Sequence, residues 1–244
     1  MDLTKVVDFE KLTRDILQQA VKLPIVNVNR DEFLGKELKK YYSDEIIQKS
    51  IQTTPKQAGV SDYVLDKIAK HCINFESLKV TGLSALAGIP GGLAMLGTVP
   101  ADLAQYFAHI IRIAQELGYI YGYKDLYTID DFDCESSSQL IVFIGIMFGV
   151  NFLEAKIVNV AAQMAKANVG RHLVKGLGKQ AGFKFIQDIL KKLGIKINQT
   201  LVGKTISKAV PIAGAFISGG LTFVTFKPMC NRLKNALSQT QLVA

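Results

Sequence analysis

The stretch TVPADLAQYFAHIIRIAQELGYIYG, residues 98–122, reads as one helix with signals at both ends. Thr98 is placed to cap it, Pro100 suits a first turn that needs no N–H, and Asp102 sets a carboxylate near the positive helix end. Gly122 supplies the stop, so the helix should run to about Tyr121. Two stripes follow from the spacing. Leu103, Phe107, Ile110, Ala114 and Leu117 alternate by four and three and make an apolar face. Asp102, Gln105, His109, Arg112 and Glu116 alternate by three and four, which gathers the ionisable groups on another face.

Helical patterns extend outward from this segment in both directions. Residues 3–22 carry Leu3, Val6, Val7, Ile16, Leu17, Ala20 and Val21 among charges, and Pro24 ends the run. Residues 30–51 read as one or two short helices with Ser43 and Asp44 as an internal cap; TTPKQAG at 53–59 is a break, and a helix follows from Ser61 to about Phe75. Residues 125–137 form an acidic loop or helix start, and helical patterns resume at 138–168, less regularly at 171–193, and again from 211 to about 237. No stretch alternates with a period of two between turn signals, so the expected fold is all-α, a helical bundle. The expected division is an N-terminal helical segment over 1–77, a main helical domain over 78–237 and a flexible tail over 238–244.

Three runs carry no charge: residues 80–101, 136–153 and 209–226. Each reaches the length of about 18 to 20 residues at which a membrane span has to be weighed. None is a clean span, because the first is rich in glycine and holds two prolines, the second opens with four polar residues, and the third has a proline and a Gly-Gly pair. Ser84, Gly88 and Gly92 recur every four residues, as do Gly214, Ser218 and Thr222, with Ala215 and Gly219 in a second register. Small residues at that spacing let helix backbones approach closely, in soluble helix pairs as in membrane ones. Gly-rich helical hairpins over 80–101 and 209–226 are therefore expected, docked on each other or on a bilayer. The chain has no tryptophan, the strongest interfacial anchor, which weighs against full spanning.

Charge is uneven. The 244 residues carry a net +8, but residues 1–154 are net −5, while residues 155–208 hold eleven basic side chains against the single acid Asp188, net +10. Within that block Lys175, Lys179, Lys184, Lys191, Lys192 and Lys196 are candidates for binding an anionic surface. The block holds only two aromatics, Phe183 and Phe185, and no nucleic-acid signature, so base stacking has little to work with and nucleic acid is not an expected partner. A solvated helical face is the plain alternative.

Several chemistries are unsupported by spacing. Cys72, Cys134 and Cys230 form no CxxC and are odd in number, so neither a disulfide framework nor a cysteine zinc site is encoded, and a reducing compartment is the simplest reading. His71, His109 and His172 stand far apart with no ligand-spaced pair, so no metal is expected. Gly203-Lys204-Thr205 ends like a phosphate loop, but Asn198 occupies the position of the opening glycine; Gly176, Gly178 and Gly182 give GxGxxxG, without a preceding strand. No cofactor is expected. The charged opening MDLTKVVDFEKLTRD does not read as a signal peptide.

The segments GIPGGLAMLGTVPADLAQYF (88–107), IAQELGYIYGY (113–123) and VPIAGAFISGGLTF (210–223) together resemble the EcsC family of bacterial proteins. The likeness covers roughly residues 78–237. It implies a setting in membrane transport or secretion, through an operon that encodes an ABC transporter, with no established reaction. The matching positions are Pro100, Asp102, Tyr121, Gly122, Pro211 and Gly214; most have packing roles, and Asp102 is the functional candidate among them.

The expected function is that of a non-enzymatic, membrane-associated accessory protein on the cytoplasmic side, with a membrane surface or anionic lipid as partner and a transporter as the partner the resemblance implies. One alternative is a hydrolase or small-ligand binder that uses Asp102, Gln105, His109, Arg112 and Glu116 in a bundle pocket. Another is a membrane-permeabilising effector. The plain reading of the same stripe is a solvent-facing row, with Arg112 and Glu116 as an i,i+4 ion pair of a few tenths of a kcal/mol.

Overall fold

The computed structural model describes residues 16–87, 101–124, 138–149 and 219–240. Within them the chain is all-α. Helical residues 16–20 lead through a 3-10 turn, Pro24–Val26, to α1 (Arg30–Leu38), α2 (Asp44–Gln52), α3 (Asp62–Ala87), α4 (Ala101–Ile120), α5 (Ser138–Met147) and α6 (Gly219–Gln239). The described residues contain no strand.

Local chemistry explains most of the boundaries. Asn29 caps α1 by accepting from the N–H groups of Asp31 and Glu32, both at 3.0 Å. Ser43 occupies the N-cap of α2 with an extended backbone but makes no side-chain cap hydrogen bond. At the other end of α2, the buried Arg30 guanidinium donates to the carbonyls of Ile51 (2.8 Å), Ser50 (3.2 Å) and Thr53 (3.2 Å), satisfying groups that the helix leaves open and tying α1 to α2. Ser61 opens α3, with its hydroxyl accepting from Val64 N–H at 3.3 Å. The helix does not stop near Phe75. It runs on to Ala87, since no glycine or proline interrupts the chain between Asp62 and Thr81.

α4 ends where its glycine dictates. Gly122 has φ +93°, and the Tyr123 N–H reaches the Gly118 carbonyl at 2.9 Å while the Gly122 N–H reaches Tyr119 at 3.3 Å, the paired bonds of a Schellman cap. That turn drives Tyr123 into the core, where its ring meets Phe143 edge-on at 5.1 Å. The helical pattern read over 138–168 is broken at Phe148–Gly149, where Gly149 takes φ +78° and closes a turn onto the Ile146 carbonyl at 2.9 Å. Arg232 of α6 donates to the Met147 carbonyl at 3.1 Å, placing a cation at the negative end of α5.

α4 is the centre of the assembly. It packs against α3, α5, α6, α1 and the Pro24–Val26 turn, while α3 and α6 form the most extensive helix pair. Between Ala104 and Tyr121 only Gln105, Tyr106 and Arg112 are even half-exposed, so the helix is buried on nearly all sides and not on one stripe. Phe107, Ile110, Ala114 and Leu117 of the expected apolar face are fully buried, but so are Ala108, Ile111 and Ile113 around the circumference. Core contacts across elements include Tyr106 edge-on to Phe226 at 6.0 Å and Phe107 stacked on Phe148 at 6.3 Å. Asp66 of α3 joins α6 through Lys234 Nζ at 2.5 Å and holds Lys70 at 2.6 Å; the Lys234 hydrogen bond in particular keeps the Asp66 carboxyl below its ordinary value.

The expected boundary at 77/78 falls inside α3, and one core joins residues on both sides of it. Of the uncharged runs, residues 80–87 lie on α3, 138–147 form α5 and 219–226 begin α6. No described helix is both long and apolar enough to cross a membrane. Thr98, Pro100, Gly88, Gly92, Gly214, Ser218 and the entire basic block, with Lys175, Lys179, Lys184, Lys191, Lys192 and Lys196, lie outside the described residues.

Candidate functional site

The polar stripe of α4 faces the interior. His109, Arg112 and Glu116 fall on one side of the helix by their three- and four-residue spacing, and α3 and the Pro24–Val26 turn cover that side. The solvent-facing reading of the stripe is overturned, because His109 is 1% and Glu116 6% exposed. Gln105 is half-buried one turn before His109, and Asp102 sits in the first turn of α4 with its side chain outside the described residues.

Glu76 of α3 organises the cluster. Its Oε1 lies 2.5 Å from His109 Nδ1, with both side chains 1% exposed. Its Oε2 lies 3.4 Å from Lys79 Nζ and 3.8 Å from Arg112 Nε, and Arg112 Nε is in turn 2.9 Å from Glu116 Oε1. Burial pushes the Glu76 carboxyl up, but the His109 hydrogen bond and the charges of His109, Lys79 and Arg112 outweigh it and leave it below its ordinary value of 4.5. An ionised Glu76 can only accept, so the proton in the contact belongs to His109 Nδ1. His109 Nε2 then stands in the core without a hydrogen-bond partner among the described residues.

The second carboxylate has the opposite character. Burial drives Glu116 from 4.5 up to about 7, with Arg112 pulling it down and the charge of Glu76 pushing it up further. One guanidinium therefore serves two carboxylates of unequal acidity.

The same face of α4 also holds the N-terminal chain. Arg112 Nη1 donates to the Ile25 carbonyl at 2.9 Å, Gln115 Nε2 to Val26 at 2.8 Å and Tyr119 Oη to Val28 at 3.4 Å. Residues 112, 115 and 119 thus form a ladder along one side of the helix that satisfies three carbonyls of the irregular segment after the first helix. Buried carbonyls without such partners would each cost about 1 to 3 kcal/mol. The polar stripe of α4 is in this respect a docking strip for residues 25–28.

Comparisons of the chain with protein-family models, with curated proteins and with solved structures find no match. The assignment of roles therefore rests on geometry. The arrangement joins α3 to α4 through Glu76 and His109, and α4 to residues 25–28 through Arg112, Gln115 and Tyr119. Among the described residues, no three of His, Cys, Asp and Glu gather as a metal site would require. Cys72 and Cys230 are free and buried, and burial holds both thiols well above their ordinary value, as thiols and not reactive thiolates.

Glu76 is the member that sequence reasoning missed. A helix ending near Phe75 gives it no face. Once α3 continues to Ala87, Glu76 falls beside Cys72, Ile73 and Val80, a buried apolar row in which a single carboxylate stands out.

Proposed function

We propose that the chain is a membrane-associated helical accessory protein acting on the cytoplasmic side in transport or secretion, without a reaction of its own. The observation that carries this reading is the concentration of charge, net +10 over residues 155–208, in a chain whose first 154 residues are net −5. Such a block is attracted to anionic headgroups by about 1 kcal/mol per basic side chain near the surface. The block lies between two uncharged runs, residues 136–153 and 209–226, whose described parts form α5 and the start of α6. The resemblance of residues 88–107, 113–123 and 210–223 to the EcsC family points in the same direction.

The site favours a non-catalytic role over the alternative of a hydrolase or ligand binder. His109 and Glu76 meet at 2.5 Å with 1% exposure each, so neither presents a polar atom to solvent where a substrate could meet it. The test is fractionation of cells expressing the full chain. The protein is expected in the membrane pellet at low salt and in the supernatant after a high-salt wash. A chain found wholly in the soluble fraction at low salt contradicts the proposal.

A further inference from the structure

The outer side of α3 carries a second feature that the buried cluster does not use. Lys67, His71, Phe75 and Leu78 follow one another at steps of four, four and three, with Lys70 and Asn74 beside them, so the six share one exposed face about 16 Å long. Phe75 is 53% and Leu78 63% exposed, and Tyr63 at the start of the same helix is 74% exposed. Among the residues whose burial is described, Tyr41, beside Lys67, is the other large apolar side chain left exposed. From Lys67 to Lys79 no exposed residue is acidic; of the lysines, Lys70 pairs with Asp66 at 2.6 Å and Lys79 lies 3.4 Å from the inward-pointing Glu76, both with the side chain still partly exposed.

The cations and the rings of this face are arranged together. Lys79 Nζ lies 4.3 Å from the centre of the Phe75 ring, Lys67 Nζ lies 5.2 Å from that of Tyr41, and His71 stacks on Phe75 at 6.3 Å. A face of this kind presents apolar groups at its centre and ammonium groups along its edges, the distribution that places rings at the acyl boundary and lysines at headgroup level. A nucleic acid would meet the lysines but would leave Leu78 without a partner. The helix also runs directly from Lys79 into the uncharged residues that begin at Val80.

We infer that the outer face of α3, centred on Phe75 and Leu78 and edged by Lys67, Lys70 and Lys79, is a contact surface for an anionic lipid bilayer. The inference rests on the reading of the chain as membrane-associated, and it adds a specific surface within the described fold. Lysines give the preference for anionic lipid, and Phe75 and Leu78 give the depth.

The absence of tryptophan from the chain makes the test direct. Full-length Phe75→Trp and, as a control on exposed α2, Gln48→Trp are each mixed with phosphatidylcholine vesicles with and without phosphatidylserine, while sedimentation of the wild type with the same vesicles is followed in parallel. The wild type is expected to sediment with the anionic vesicles. Phe75→Trp emission should shift to the blue and be quenched by a lipid-borne quencher, whereas Gln48→Trp should not change. Phe75→Ser and Leu78→Ser, both at exposed positions and therefore expected to fold, should each lose roughly tenfold in partitioning. Wild-type sedimentation with an unmoved Phe75→Trp signal overturns this inference and leaves the membrane reading standing. Absence of wild-type sedimentation overturns both. A Phe75→Trp response to a DNA duplex or to polyglutamate, with none to vesicles, assigns the face to another polyanion and also overturns it.

Discussion

Along α3 the inner face buries Glu76 beside Ile73, Ser77 and Val80, while one residue away the outer face leaves Phe75 and Leu78 in solvent. Ordinary burial would place these groups the other way round. Glu76 tolerates the interior because His109 hydrogen-bonds its Oε1 and the cations Lys79 and Arg112 stand within 4 Å of its Oε2. Lys79 and His71 lie against the Phe75 ring, but Phe75 and Leu78 each still leave more than half of their surface in solvent. An unfavourable placement resolved inside the chain is a structural device, whereas one left unresolved at the surface points outside the chain.

The comparison breaks most directly at Glu76. Glu76→Ala removes the acceptor of His109 and leaves buried positive groups uncompensated, and is expected to cost about 3 to 5 kcal/mol in urea unfolding. Glu76→Gln keeps an acceptor for His109 Nδ1 and should cost less. A loss under 1 kcal/mol for the alanine variant would mean that the inner face does not depend on the pair.

The next effect is one of pH. Glu116 has a folded value near 7 against an ordinary 4.5, so its contribution is fully present below about pH 4.5 and is lost as pH rises through 7. That difference corresponds to roughly 3 kcal/mol at alkaline pH. Glu76 works in the opposite sense, because its lowered value gives stability above 4.5 that is lost as pH falls through the folded value. Glu116→Gln should remove the decline in stability between pH 4.5 and 7, measured by urea midpoints across that range, and leave the acid limb in place. An unchanged decline would show that Glu116 is not its source.

Smaller effects sharpen the outer half of the comparison. Lys234→Met breaks the tie from α6 to Asp66 and is expected to cost about 1 kcal/mol by thermal unfolding, because Asp66 remains partly exposed and keeps Lys70 as a partner. Phe75→Ser should change stability by no more than about 0.5 kcal/mol, since the ring makes its contacts at the surface. A larger loss would place Phe75 in the structural core and weaken the case for an external partner.

Much of this frame is legible in the residues themselves. Gly122 gives the end of α4 to within a residue, Ser43 and Ser61 mark the starts of α2 and α3, and Pro24 marks the break after the first helix. The candidate stripe is legible as a set, since His109, Arg112 and Glu116 do share one face. Its environment is not, because the groups that cover it are distant in sequence: Glu76 by 33 positions and the carbonyl of Ile25 by 87. A polar stripe looks the same whether water or backbone carbonyls satisfy it, so α4 reads as amphipathic although it is buried nearly all round. The length of α3 was hidden for a related reason, since the Gly- and Pro-rich residues after it draw attention from a helix that continues up to them.

The most direct test of the membrane reading is flotation of the full chain with vesicles of increasing phosphatidylserine content at low and at high salt. The expected result is a floated fraction that rises with anionic lipid and falls with salt, the signature of basic residues meeting headgroups. A floated fraction that stays at zero through the whole series, at either salt concentration, would contradict it.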